Sequence, residues 1–241
     1  MFGVKKMQID VLASSSLGNS YLVSDGETSI LLDAGIPYKE LQVKSDFKVN
    51  EVAACLISHE HGDHSKAVKD LLKSAIDVYA LPETLTALKV EEHHRAHSVE
   101  VLKTFTINSF EIMPVEMYHD CPCVGYMVYS KKTGERLFFA TDTYKITINP
   151  QSIDYLIFEI NYQKEIVNRL VNDGLMEASI RARLLFSHYE LSKALKWLRK
   201  IDKSRLKRIY VAHLSSGHSN AEEIKNAVIA ETGIPTTICD I

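Results

Sequence analysis

Ser58-His59-Glu60-His61-Gly62-Asp63-His64 packs four metal-binding side chains into six residues. The apolar run Val52-Ala53-Ala54-Cys55-Leu56-Ile57 leads straight into this H-x-H-x-D-H stretch, and Val68, Leu71 and Leu72 follow at helical spacing. The pattern predicts a turn between a buried strand and a helix, where several imidazoles and a carboxylate can converge. A solitary histidine is ordinarily a surface residue or a hydrogen-bonded core residue. Three of them with an aspartate would repel one another on protonation and add little to a core. The cluster therefore points to a metal site.

The donors in one turn can seed two centres but complete neither. Further candidates stand where apolar runs end. His119 follows Met113 to Tyr118, Asp142 follows Leu137 to Thr141, and His213 follows Ile209 to Ala212. Each sits where a strand can hold it rigidly. Asp142 has two oxygens and could bridge two ions. A His-rich set with carboxylates suits zinc first, with manganese or iron as alternatives. Asp33 and Asp120 are candidate acceptors for ring N–H groups behind the ligands.

The other elements follow from periodicity and turn chemistry. Strands are expected at Gln8–Leu12, Ser20–Ser24, Ser29–Asp33, Asp77–Ala80, Glu100–Phe105, Phe110–Val115, Gly125–Tyr129, Arg136–Ala140, Tyr155–Ile160, Arg208–Ala212 and Thr236–Cys239. Helices are expected at Pro37–Lys44, Pro82–Lys89, Lys164–Val171, Leu191–Ile201 and Ala221–Thr232. Ser14 to Asn19, Asp25-Gly26-Glu27 and Lys132-Thr133-Gly134 read as turns. Two strand-rich halves, each followed by helices, predict an α/β fold: an αββα sandwich of two mixed β-sheets flanked by helices. A length of 241 residues with 46% hydrophobic content suits one domain spanning 1–241.

No run is long enough to span a bilayer, and Met1 to Met7 has no apolar stretch of signal-peptide length, so a cytoplasmic protein without a membrane partner is expected. Four cysteines do not make a disulfide framework. Cys121-Pro122-Cys123 reads as two reduced thiols lining a site.

The order H-x-H-x-D-H, then distant His, Asp and His, resembles the metallo-β-lactamase fold superfamily, from about Gln8 to Ile241. The resemblance implies one ion at His59, His61 and His119, a second at Asp63, His64 and His213, and Asp142 bridging. Leu31-Leu32-Asp33-Ala34-Gly35 matches the family's early Asp motif, whose carboxylate orients ligands. Ala13-Ser14-Ser15-Ser16-Leu17-Gly18-Asn19-Ser20, His119-Asp120 with Gly125-Tyr126, and His213-Leu214-Ser215 with Asn220 and Glu223 resemble the WalJ/YycJ-like, exonuclease-like branch. Ser15 stands where that branch often has Gly, and the Cys-Pro-Cys insert is a second departure. A more distant likeness, to the endonuclease that matures tRNA ends, implies a proton-donating pair at Glu159 and His188.

These readings imply a hydrolase in which two ions about 3.5–4 Å apart share a bridging hydroxide, with Asp63, Glu159 and His188 as catalytic residues. Arg181 to Arg208 carries ten Lys or Arg against Glu190 and Asp202, net +8 in a chain of net −3. That excess beside His188 favours nucleic acid, DNA or RNA, as substrate. Tyr144, Tyr162 or Tyr189 could stack bases, and Ser14, Ser15, Ser16 and Asn19 could bind a terminal phosphate. The alternatives are a small-molecule thioesterase or lactonase, for which the basic segment is irrelevant, and a non-catalytic nucleic-acid-binding module. Oligomeric state is not encoded in any motif.

Overall fold

The computed structural model describes residues 6–239. Met1 to Lys5, part of the segment considered for a signal peptide, and the closing Asp240-Ile241 lie outside the described residues. In chain order the elements are β1 (Gln8–Ser15), β2 (Gly18–Ser24), β3 (Ser29–Leu32), α1 (Tyr38–Lys44), β4 (Ala54–Leu56), α2 (Gly62–Ser65), α3 (Val68–Lys73), β5 (Asp77–Ala80), α4 (Pro82–Leu88) and β6 (Ala96–Ser98). They continue with β7 (Phe105–Ile107), β8 (Phe110–Tyr118), β9 (Pro122–Ser130), β10 (Arg136–Ala140), β11 (Tyr155–Glu159), α5 (Lys164–Asn172), α6 (Ala178–Ser187), α7 (Leu191–Leu198), β12 (Arg208–Ala212), α8 (Ala221–Thr232) and β13 (Thr236–Ile238).

Two mixed sheets result, ordered β1-β2-β3-β4-β5-β6 and β7-β8-β9-β10-β11-β12-β13. Each begins as an antiparallel meander and turns parallel, at β3 in the first sheet and at β10 in the second. Strand alternation explains the layers. Ile30 and Leu32 face between the sheets with Leu137, Phe139, Tyr155 and Ile157. Their neighbours point outward: Leu31 packs with Leu41, Leu71 and Leu85, while Phe138, Leu156 and Phe158 pack with Trp197, Leu198, Ile224 and Val228. Three apolar layers thus separate four structural ones, the αββα sandwich expected.

Several boundaries differ from the sequence reading. Strand pairing of β1 with β2 runs through Ser15 and Gly18, so the supposed loop Ser14–Asn19 shrinks to a tight turn at Ser16-Leu17. Ser15 keeps negative φ, so a non-glycine there costs nothing in backbone conformation. Glu100–Phe105 is not a strand. Leu102 adopts φ +63° and donates its N–H to Pro114 O, and both Val101 and Leu102 are exposed. The pairing strands are β6 and β7 on either side. Helix α6 was not expected, because it has no apolar stripe: Ile180 and Phe186 are exposed and Ser187 alone is buried.

Candidate metal centre

Both strand switches open at the same end of the molecule, where crevices form in mixed sheets. The loop after β4 carries His59 to His64. Two contacts from the second sheet hold it: Val124 N–H donates to Ser58 O at 3.0 Å, and Tyr126 Oη donates to Ile57 O at 2.7 Å. Ser65 Oγ lies 2.8 and 2.9 Å from the carbonyls of Glu60 and His61, closing the turn into α2. Gly35 makes the close approach possible. A Cβ there would lie 1.7 Å from the Asp63 carbonyl oxygen.

His119 stands first in the three-residue turn His119-Asp120-Cys121 between β8 and β9, whose register is pinned by the pair Tyr118 and Pro122. Asp142 and His213 follow β10 and β12, and Glu159 ends β11. Asp33, Asp142 and His213 leave their strands with φ of 55°, 47° and 54°. Left-handed backbone at non-glycine positions is a cost that tightly supported sites retain.

Two donor sets emerge. Ligand atoms of His59, His61, His119 and Cys121 lie within 4.8 Å of one another, as do those of Asp63, His64, Asp142 and His213. Asp142 links them. Its Oδ2 is 3.9 Å from His59 Nε2 and 3.8 Å from His119 Nε2, while its Oδ1 is 3.2 Å from His64 Nε2. Asp63 Oδ2 is 3.4 Å from His213 Nε2. A third group joins Asp142 and His213 to Glu159 and His188.

The residues fit divalent metal by two observations. His59 Nε2 and Asp142 Oδ1 are buried and have no aligned hydrogen-bond partner, although each faces the cluster. The ring nitrogens on the far side are occupied: His64 Nδ1 meets Asp33 Oδ2 at 2.7 Å, His59 Nδ1 meets Ser58 Oγ at 2.9 Å, and His119 Nδ1 donates to Ser187 O at 2.8 Å. Such backing leaves the opposite nitrogen as the lone-pair atom. Asp120 Oδ1 instead lies 3.1 Å from His119 Nε2 and 3.4 Å from His61 Nε2. It therefore meets His119 on the cluster side rather than behind it.

Electrostatics report the same crowding. Burial, then the neighbouring His64, pushes His59 well below the usual imidazole range. Burial opposes protonation of His64 and His213, yet the Asp142 carboxylate outweighs it. His64 is raised well above its ordinary value, helped by Asp33, and His213 is raised to about 10. Against burial, His213 and His64 hold Asp142 well below the carboxylate range. Buried carboxylates here are compensated by protons that a cation would displace.

Of the residues considered for phosphate binding, Ser16 is exposed and Ser15 half-buried; Ser14 and Asn19 are buried. Ser14 Oγ accepts the backbone N–H of His213 at 3.0 Å, and Asn19 Nδ2 lies 3.1 Å from His64 Nε2. These two thus contact His213 and His64, members of the second donor set. Sequence reasoning missed Asn161, whose Nδ2 donates to His213 O at 2.9 Å. It also cast Tyr162 and Tyr189 as stacking platforms. Both are buried in the core, and the exposed aromatic nearby is Phe186, edge-on to Tyr144. Among the cysteines, all free, Cys123 is buried, and burial pushes its thiol up. Burial, then Asp120 and Glu60, pushes the Cys121 thiol up to about 12.

Residues 28–213 match the Beta-lactamase superfamily domain. The chain belongs to the β-lactamase superfamily. Within that superfamily it is 26% identical to Exodeoxyribonuclease YycJ of Bacillus anthracis over 92% of this chain and 88% of that protein. It is 28% identical to Exodeoxyribonuclease WalJ of Streptococcus pneumoniae over 89% of this chain and 83% of that one. The crystal structure of the metallo-β-lactamase fold protein YhfI from Bacillus subtilis superposes with a TM-score of 0.72 at 14% identity, covering 97% and 96% of the two chains. The superfamily fold and its donor chemistry make the protein a metal-dependent hydrolase. Among the described residues no helix is long and apolar enough to cross a membrane.

Proposed function

We propose that the chain is a dinuclear phosphodiesterase that cleaves DNA or RNA strands, with zinc as its first-choice metal. His59, His61 and His119 would hold one ion, Asp63, His64 and His213 the other, and Asp142 would touch both. Divalent ions bound there supply Lewis acidity, acidifying coordinated water and neutralising charge on phosphoryl oxygens.

The rest of the chemistry belongs to side chains. Asp33, backed by its acceptance of the Ser58 N–H at 2.7 Å, fixes the His64 ring. Glu159 Oε1 accepts from His188 Nδ1 at 2.5 Å, and Glu159 Oε2 is itself held by the Thr143 N–H at 3.0 Å. Burial opposes charge on both partners, but each favours the ionised form of the other: His188 is raised and Glu159 lowered. The His188 ring stands between the rings of His119 and His213, with centroids 5.5 and 5.3 Å away. From there its Nε2 can hand a proton to the departing alkoxide.

The observation that carries a nucleic-acid substrate is a cavity of about 400 Å³ beside this pair. Lys145, Lys193, Lys196 and Lys200 line it with Tyr144 and Trp197. Its wall Tyr189 follows His188 directly, and the Tyr189 N–H meets Glu159 Oε2 at 3.3 Å. The basic segment is not uniform. Arg199, Arg205 and Lys207 are engaged by Glu231, Asp154 and Glu135. The lysines of α7 are exposed and face the cavity, where a phosphate backbone would be neutralised.

The test uses metal-replete protein on end-labelled single-stranded DNA and RNA, with a thioester and a lactone in parallel. Strand cleavage is expected, and its loss in Asp63→Ala and Asp142→Ala with circular dichroism unchanged. Intact oligonucleotides beside rapid thioester hydrolysis would sink the proposal. Metal analysis of the same samples identifies the ions.

A further inference from the structure

Cys121 has no role in the chemistry above, yet it occupies the last position of the turn that presents His119. The sulfur lies with one ring nitrogen each of His59, His61 and His119, all four within 4.8 Å of one another. His119 Nε2 and His61 Nδ1 are already 3.2 Å apart. Zinc held by three nitrogens at about 2.0–2.1 Å and one sulfur at about 2.3 Å sets its donors roughly 3.3–3.6 Å apart. Closing the remaining distances takes little more than an ångström. His61 and Cys121 are both partly exposed, so their side chains have room to make that movement.

The neighbouring thiol makes a contrast. Cys123 is buried on β9, with its Sγ 3.8 Å from Asp142 O and 4.0 Å from Thr141 O. It falls in none of the three groups of converging donors. His59 Nε2, buried and lacking a hydrogen-bond partner, belongs to the group that includes Cys121. The turn between β8 and β9 therefore delivers a nitrogen and a sulfur into one group of converging donors, with Asp120 Oδ1 between them in sequence and 3.1 Å from His119 Nε2.

We infer that Cys121 is a sulfur ligand to the ion held by His59, His61 and His119. The inference rests on the metal-centre reading above. On ligation the S–H bond breaks, its electron pair goes into the metal–sulfur bond, and the proton passes to solvent. A soft donor biases this position towards zinc or cobalt(II) and against manganese. The second set, with two carboxylates and no sulfur, keeps no such bias. The two positions then load with different metals from a mixture.

The test strips the full-length protein of metal and reloads it with cobalt(II). A near-ultraviolet thiolate-to-cobalt charge-transfer band is expected in the wild type and in Cys123→Ser, and is expected to vanish in Cys121→Ser. Zinc titration of Cys121→Ser should show one position weakened by about tenfold or more, with the other unchanged. If that variant does not fold, metal protection of Cys121 against a thiol reagent in the wild type, mapped by peptide, reads the same contact. Cobalt bound without a sulfur band, or a band surviving in Cys121→Ser, overturns the inference alone. A protein that binds no cobalt at all overturns the metal-centre reading with it.

Discussion

Ser14 Oγ receives the backbone N–H of His213 across 199 positions of sequence, joining the first strand to the exit of the twelfth. The same hydroxyl lies 2.8 Å from Tyr21 Oη. The serine-rich opening therefore meets the donor cluster through the backbone of His213, at a residue already in left-handed conformation.

Ser14→Ala leaves that buried N–H without its acceptor, which costs about 1–3 kcal/mol. Denaturant unfolding should register the loss, and metal titration should show weakening at the His213 position. Ser16→Ala, on the exposed turn, should stay within about 0.5 kcal/mol of the wild type.

His188→Ala should lower turnover of oligonucleotides by about 10²–10⁴-fold. The same variant should cleave a p-nitrophenyl phosphodiester nearly as well as the wild type, because that leaving group departs without a proton. Metal content should be unchanged. Equal losses on both substrates would show that the histidine has a purely structural part.

Lys193 and Lys196 on α7 and Lys200, two residues past its end, line the same cavity. Changing all three to Glu should raise the Kd for a single strand and leave p-nitrophenyl phosphodiester hydrolysis intact. The slope of log affinity against log salt should fall by about 0.7 for each phosphate that a lysine no longer neutralises. A binding assay at several salt concentrations checks this.

Donors reach the centre from both sheets, so a bound ion opposes their separation. With free metal at a hundredfold over Kd, linkage contributes about 2.7 kcal/mol per site. For a chain of this size that raises Tm by roughly 5–10 °C. Differential scanning fluorimetry with and without a chelator measures it.

Asp25 gives a pH effect remote from the centre. It is buried, and burial alone would raise it, but bonds from Ser109, Ser130 and the Thr28 and Glu27 N–H groups hold it below the usual carboxylate range. A depressed carboxylate contributes stability that is fully present above its unfolded pKa and is lost as pH falls through its folded one. Asp25→Asn should therefore flatten the acid limb of the stability curve below about pH 4 and lower the plateau at neutrality.

The layered architecture was legible because Leu31, Phe138 and their neighbours alternate between two buried faces. The convergence of His59 to His64 with His119, Asp142 and His213 was legible because each stands where an apolar run ends. Other features left no such trace. Helix α6 exposes Ile180 and Phe186, so no stripe marks it. Tyr162 and Tyr189 look like any surface tyrosines until the core closes over them. Hydrogen bonds between Ser14 and His213, or Asn161 and His213, join residues that no local pattern connects. Val101 and Leu102 read as a strand by composition, but the left-handed turn at Leu102 turns the chain aside.

Asp33, Asp142 and His213 emerge from their strands in a conformation that glycine adopts freely and other residues resist. Glycine would relax the backbone at each, but at Asp33 it would strand the buried Ser58 N–H that the carboxylate accepts. Persistence of charged and imidazole side chains there means the scaffold tolerates permanent local discomfort for the sake of what it cradles. Any attempt to harden this protein by idealising its loops would disarm it first.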